Sequence, residues 1–407
     1  MAKARLWIGL ALVILLTFGA AACGGSSPTS TATPAEAAPT EAPATEEATP
    51  AEAATTEATP AEAATAEETP AEAATAEETP AEAAATEAAT AEATPAESAA
   101  AAPEGEVPVV GMMKIVSHPA LDAEQQGVKD ALDAAGFVAG DTVTYEEANA
   151  EGDIATLTTI AQKFVDEGVD VIVATSTPAL QAAYNATKDL EGPPIVFNAI
   201  TSPYAAGIAE SAEVHPSWII GIQALAPVED ALGMIPQMIP DIETVGYIYN
   251  PAEANSVVNT DIAVPEAEGL GLNFEIATVS NSSEVQTAAE ALVARGAQAY
   301  FVCTDNTVVS GIEALVKVAN DNQIPLFACD ASSAERGASV ALGLDYYQDG
   351  LDSGALVVGI LNGDLDIAST PIERQRAGSL SVNLSAAQAQ GLEIPQDVID
   401  QAATVIE

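Results

Sequence analysis

Basic side chains are scarce in this 407-residue chain: 11 Lys and Arg stand against 60 Asp and Glu, a formal net charge of −49. That balance excludes nucleic acid as a partner, because a binder needs cations to displace the counterions of the phosphates. It equally excludes docking on an anionic lipid surface through a basic patch. Cysteine is rarer still, at three residues, too few for a disulfide-stapled scaffold or a cysteine-rich zinc module. The two histidines, His118 and His215, lie far apart and each precedes a proline; no HExxH, GxSxG or Gly-rich phosphate loop accompanies them. No metal, no cofactor and no catalysis are expected. Aromatics make up 4% of a chain that is 48% hydrophobic, because much of the apolar count is alanine in the first hundred residues.

The N-terminus reads as an address. Lys3 and Arg5 precede the apolar run 6–18, then small residues 19–22, then Cys23. The apolar stretch is short for a spanning helix and fits an exported precursor. A cysteine directly after small residues resembles a bacterial lipobox, although Gly19-Ala20 stands where Leu is usual. The resemblance implies a signal peptide over 1–22 and a lipid on Cys23 that anchors the mature chain outside the cytoplasm. An ordinary secretory signal, with Cys23 incidental, is the alternative.

Residues 23–103 read as a tether. TPAEAA recurs every ten residues from Thr49, Thr59, Thr69 and Thr79, and residues 24–103 contain no Leu, Ile, Val or aromatic side chain. Sixteen Glu fall within 1–103, and no Lys or Arg lies between Arg5 and Lys114. Such a segment cannot offset its ordering entropy and is expected to stay disordered, since regular Pro interrupts the helix that alanine favours. As a flexible chain, its 80 residues from 24 to 103 span about 50 Å.

Residues 104–407 hold 44 acids and nine bases and are long enough for one large or two medium cores. Apolar runs at 107–115, 142–147, 170–174 and 194–197 alternate with helical spacing at 121–135, 154–167 and 179–189. After a break near 221–229 the rhythm restarts, with strands at 245–249, 273–279, 299–303 and 326–329 and helices at 255–268, 283–295 and 306–320. A strand at 341–345 and a helix at 347–361 follow. Two βαβα series predict an α/β protein of two Rossmann-like lobes, each a parallel sheet covered by helices on both faces.

Polar, short side chains recur where strands end and helices begin: at 117–119, 175–177, 198–202, 253–256, 304–306 and 330–333. In open α/β sheets the ligand crevice lies outside those strand ends, and helix N-termini there suit a carboxylate. One such loop is an ordinary helix cap. Six of them, three in each half, point to a clamp for a small zwitterion.

The strings GMMKIVSHPALD (111–122), AQKF (161–164), ATSTPA (174–179), YNPAEANSV (249–257), VSNSSEV (279–285), TDNTV (304–308) and LGLDYY (342–347) stand in this order. They resemble the ABC-transporter substrate-binding proteins of the tryptophan/tyrosine-type uptake group, over essentially all of 106–395. The resemblance implies a type I periplasmic-binding fold, its lobes joined by three crossovers near 221–224, 343–345 and 379–382. Lobe 1 is then 104–224 with a return at about 345–378, and lobe 2 is 225–342 with a return at about 382–407. It implies closure on a ligand and delivery to a membrane permease driven by a separate ATPase, with the binding protein acting as a monomer.

An aromatic or other amino acid is the expected ligand; a nucleoside, a small sugar or a role in ligand sensing stay open, since function resides in the site. The loops Thr175-Ser176-Thr177 and Asn255-Ser256 are expected to hold the carboxylate, and Asp305 or Asp330 the ammonium. Tyr249, Tyr346 and His118 are expected to shape the side-chain pocket, with Asn198, Asn306, Ser332 and Asp345 nearby. Cys303 and Cys329 each end a strand of the second half, one helix apart. A disulfide is open to them if those strands are neighbours. Two buried free thiols are the favoured reading, because adjacent parallel positions often aim their Cβ atoms unsuitably.

Overall fold

Strand β1 (Val109–Lys114) opens the fold, followed by α1 (Pro119–Ala134), β2 (Thr144–Asn149), α2 (Ile154–Glu167), β3 (Val171–Thr175), α3 (Thr177–Thr187), β4 (Ile195–Ile200) and β5 (Ile219–Gln223). The computed structural model describes residues 106–375 and 378–407. The signal peptide, Cys23 and the tether expected over 1–103 lie outside the described residues. Helix α2 shows how sequence sets an element here. Asp153 caps it by accepting from Thr156 N at 2.6 Å, and Gly168 ends it at φ 68°. Between them Leu157, Ile160, Ala161 and Phe164 form the buried stripe. All five residues of β3 are buried, as a central strand with both faces covered requires.

The second series runs α4 (Val228–Met238), β6 (Thr244–Tyr249), α5 (Ala254–Gly269), β7 (Asn273–Thr278), α6 (Val285–Ala294), β8 (Ala299–Val302), α7 (Asn306–Ser310), α8 (Ile312–Asn322), β9 (Leu326–Ala328) and β10 (Val340–Leu344). The chain then returns as α9 (Tyr346–Asn362) and β11 (Glu373–Arg374), and crosses again into β12 (Gly378–Asn383), α10 (Leu384–Ala389), α11 (Gln396–Gln401) and β13 (Thr404–Ile406). The first sheet has the order β11-β5-β4-β3-β1-β2 and the second β13-β12-β10-β9-β8-β6-β7. The strand order reverses at β1 and at β6, which fixes the crevice at their C-terminal ends.

Several local features depart from the sequence reading. The second sheet is not wholly parallel, because β12 enters antiparallel to β10. Residues 221–223 and 379–382 are paired strands within the sheets, so the chain changes sheet just after β5, at Asp345, and between β11 and β12. The helix expected at 306–320 breaks at Gly311, where a Cβ would come within 2.9 Å of the Ser282 carbonyl oxygen. The helix expected from 283 starts as α6 at Val285, and Glu284 folds back and accepts from Ser280 N at 2.7 Å. Among the described residues no helix is long and apolar enough to cross a membrane.

Cys303 and Cys329 form a disulfide, which corrects the free-thiol reading. Strands β8 and β9 are hydrogen-bonded neighbours with Val302 opposite Ala328, so the next residue of each strand meets the other at a Cα separation of 4.7 Å.

Candidate functional site

Loop residues at the ends of β1, β3 and β4 face those at the ends of β6, β8 and β9. On the first side His118 sits at the N-cap of α1, in a loop fixed by Ser117 Oγ donating to Asp122 and by the Lys114–Asp122 ion pair. Burial pushes the His118 imidazole below its usual range, while Asp330 on the second side pulls the other way. Ser176 enters α3 at φ 97°, a left-handed conformation rare for a residue with a side chain. It and Thr177 bring buried hydroxyls to a helix start that no side chain caps. Ala199 also has a positive φ, 54°, where β4 bulges against β5.

The second side is acidic. Asp305 caps α7 by accepting from Val308 N at 2.8 Å and also takes Asn250 N at 2.6 Å. Burial, then the Glu253 carboxylate, push its carboxyl up to about 7. Glu253 binds the start of α7 to the loop after β6, accepting from Asn306 N and Nδ2 and from Thr307 N and Oγ1. Asp330 accepts from the Ser332 and Ser333 hydroxyls at 3.0 and 3.1 Å. Tyr346, the first residue of α9, closes the site from the crossing; burial pushes its phenol well up, with Asp330 adding to the effect.

Between these groups lies a cavity of about 20 Å³, the size of a single water molecule. It is lined by His118, Ala120, Leu121, Ala199 and Thr201 on one side, Asn255, Thr304, Asp305, Asn306, Val309 and Asp330 on the other, and Tyr346. No Lys or Arg lines it among the described residues. Six buried polar atoms at these strand ends lack a hydrogen-bond partner: His118 Nδ1, Ser176 Oγ, Thr177 Oγ1, Asn198 Oδ1, Asn255 Oδ1 and Asn259 Oδ1. Buried polar groups are ordinarily paired, so a cluster of unpaired ones drawn from both halves marks a place where a polar ligand completes the bonding.

Of the residues singled out in the sequence, His118, Asn255, Asp305, Asn306, Asp330 and Tyr346 line the cavity. Thr175, Ser176, Thr177, Asn198 and Ser256 are buried at the same strand ends without lining it. Tyr249 is elsewhere: its ring stacks on Tyr247 at 5.8 Å beside the second core. Ser332 and Asp345 border a separate groove with Pro119 and Tyr347. Asp345 turns to its own helix, accepting from Gln348 N at 3.0 Å. Ala199, Thr201 and Glu253 belong to the loops 198–202 and 253–256 read from the sequence, which assigns them no individual role. Glu253 lay inside a quoted string, but nothing in the sequence shows that a loop acid will gather donors from another loop.

The chain matches the family described as ABC transporter substrate binding protein over residues 109–406. A tyrosine-binding protein of Clostridioides difficile (strain R20291) is 36% identical over 256 residues, 62% of this chain and 72% of that protein. The ABC domain from Streptococcus pneumonia, in complex with L-Trp, is 28% identical with a TM-score of 0.69, covering 74% of this chain and all of that one. The ligand-free, open structure of a substrate-binding protein with adhesive properties from Clostridium difficile is 32% identical, yet its TM-score is 0.56 over 74% of this chain and 99% of that one. Agreement is better with the ligand-bound chain than with the ligand-free one, at lower identity. The two-sheet fold is that of type I periplasmic binding proteins. The chain belongs to the ABC transporter substrate-binding proteins, which bind small ligands and are not enzymes.

Proposed function

We propose that this protein is the extracytoplasmic, lipid-anchored receptor of an amino-acid importer, taking an aromatic amino acid between its two halves and presenting it to a membrane permease. The observation that carries this reading is the division of chemistry across the cleft. Asp305 and Asp330 stand on the second side to receive an ammonium group, with Asn306 beside them. The unpaired hydroxyls of Ser176 and Thr177, at the N-terminus of α3, suit a carboxylate. Tyr346, His118, Leu121 and Val309 then surround the side chain. The tyrosine-binding and tryptophan-bound relatives support the aromatic class. Cys23 carries the lipid, residues 23–103 serve as the tether, and the receptor acts as a monomer.

Calorimetric titration tests this, on protein unfolded and refolded to strip carried ligand. Tyrosine, tryptophan, phenylalanine, leucine and adenosine are titrated in turn. Micromolar or tighter binding of one aromatic amino acid is expected, and Asp330→Asn should weaken it by about tenfold or more. Heat from adenosine alone, or none from any amino acid, overturns the substrate class.

A further inference from the structure

Behind the cleft, two carboxyl groups are buried with no cation. Glu124 on α1 and Asp349 on α9 are both 0% exposed, and no ion pair joins either among the described residues. The helices that carry them pack backbone against backbone. A Cβ on Gly350 would come within 2.2 Å of the Glu124 carbonyl oxygen, and one on Gly127 within 2.4 Å of that of Tyr347. Counted as carboxylates, Glu124 Oε1 and Oε2 and Asp349 Oδ1 have no donor at all. The two carboxyl groups are within hydrogen-bond reach of each other, so one proton held between them turns a repulsive contact into a hydrogen bond, as like charges sharing a buried site favour.

The pair is linked to the ligand cavity through its remaining oxygen. Asp349 Oδ2 accepts from Ala199 N at 3.3 Å, and Ala199 is the cavity-lining residue at φ 54°. One turn further along α9, Ser353 Oγ accepts from Asn198 Nδ2 at 3.0 Å. Helix α9 thus grips the β4 bulge at two successive residues. We propose that Glu124 and Asp349 share one proton and act as positioning residues, holding Ala199 in its left-handed conformation as part of the ligand-pocket wall.

The charged and titratable groups facing the pair are Asp345, at the N-cap of α9, and Tyr346 and Asp352 on α9; α1 contributes Glu124 itself and β4 only the Ala199 amide. Burial raises both carboxyls, Glu124 well above its usual range and Asp349 to about 6. The fold therefore holds more protons here than the unfolded chain, and stability declines as pH rises.

The test uses the full chain, Glu124→Gln and Asp349→Ala. Glutamine keeps the shape and donates permanently to Asp349, so the fall in unfolding midpoint between about pH 5 and 9 should be shallower than in the wild type. Exchange of the Ala199 amide should stay slow in Glu124→Gln and quicken by about tenfold in Asp349→Ala. If Asp349→Ala does not fold, Asp349→Asn replaces it: its amide oxygen still accepts from Ala199, so exchange stays slow while the pH slope flattens. Parallel pH slopes in the wild type and either isosteric variant, or unchanged Ala199 exchange in Asp349→Ala, overturn the proposal. L-tyrosine binding adds an arm that rests on the amino-acid reading, with Asp349→Ala weaker by about tenfold and Glu124→Gln close to wild type. Failure of the wild type to bind any of the amino acids titrated above sinks that reading alone, because the slope and exchange arms need no ligand.

Discussion

Asp305 is a carboxyl with two commitments: its oxygens take the Asn250 and Val308 amides, and it lines the cavity. Raised to about 7, it is part-protonated at neutral pH. An ammonium group arriving beside it favours the carboxylate, so binding an amino acid should expel a proton and tighten as pH rises through about 7. Titration at pH 7 in buffers of different ionisation enthalpy measures that release; none would mean that the ammonium sits elsewhere. Cys303 and Cys329 operate at the same scale. Their bridge ties together the strand ends that lead into Asp305 and Asp330, two residues on from Cys303 and one on from Cys329. It closes a sequence separation of 26, so Cys303→Ala should cost about 2–4 kcal/mol in denaturant unfolding. In the denatured wild-type protein both thiols should resist alkylation until a reductant is added.

At the scale of elements, the seam between α1 and α9 is the least forgiving packing. Gly350→Ala would drive a methyl into the Glu124 backbone and should destabilise by about 1–3 kcal/mol. Gly233→Ala in α4, where a Cβ meets nothing within 4 Å, should be neutral or stabilise by about 0.5–1 kcal/mol. Urea unfolding of the two variants distinguishes a close approach from simple helix propensity. The sequence announces where α1 and α9 lie, through helical spacing. Nothing in it says that Gly127, Gly350 and Gly354 are a contact surface, since the partners are over 200 residues apart. The same limit explains the site. Strand-end loops are local signals, and His118, Asp305 and Asp330 were legible as such. Tyr249 does not line the cavity, because its place in β6 turns its ring onto Tyr247, which itself packs on Phe274. The tie that Glu253 makes is not legible in its own loop, because its donors come from another strand end.

For the whole molecule, the excess of acid governs the response to pH. Asp305, Asp349 and Glu124 all have raised carboxyls, so the folded chain binds more protons than the unfolded one between the usual carboxylate range and their own. Stability from these groups is full below about pH 4 and is lost as pH rises through about 6 to 7 and beyond. Repulsion among the 44 acids of residues 104–407 adds to the trend. His118 opposes it, because the fold favours its neutral form, but it is one group against three. The unfolding midpoint should therefore rise on going from about pH 8 to 5.5. Calorimetric scans at low salt measure this, and a flat profile would mean that the buried acids are ionised in the fold.

The order in which strands join the sheets carries a consequence for biosynthesis. The first sheet takes its edge strand β11 from residues 373–374, and the second inserts β12, at 378–383, between β10 and β13. Neither half can therefore be finished before residues 373–406 have left the ribosome. Most multidomain chains fold piece by piece as they emerge. Here the emerging polypeptide would remain incompletely folded until those residues emerge, and an unfinished chain is one that a narrow translocation channel can still thread.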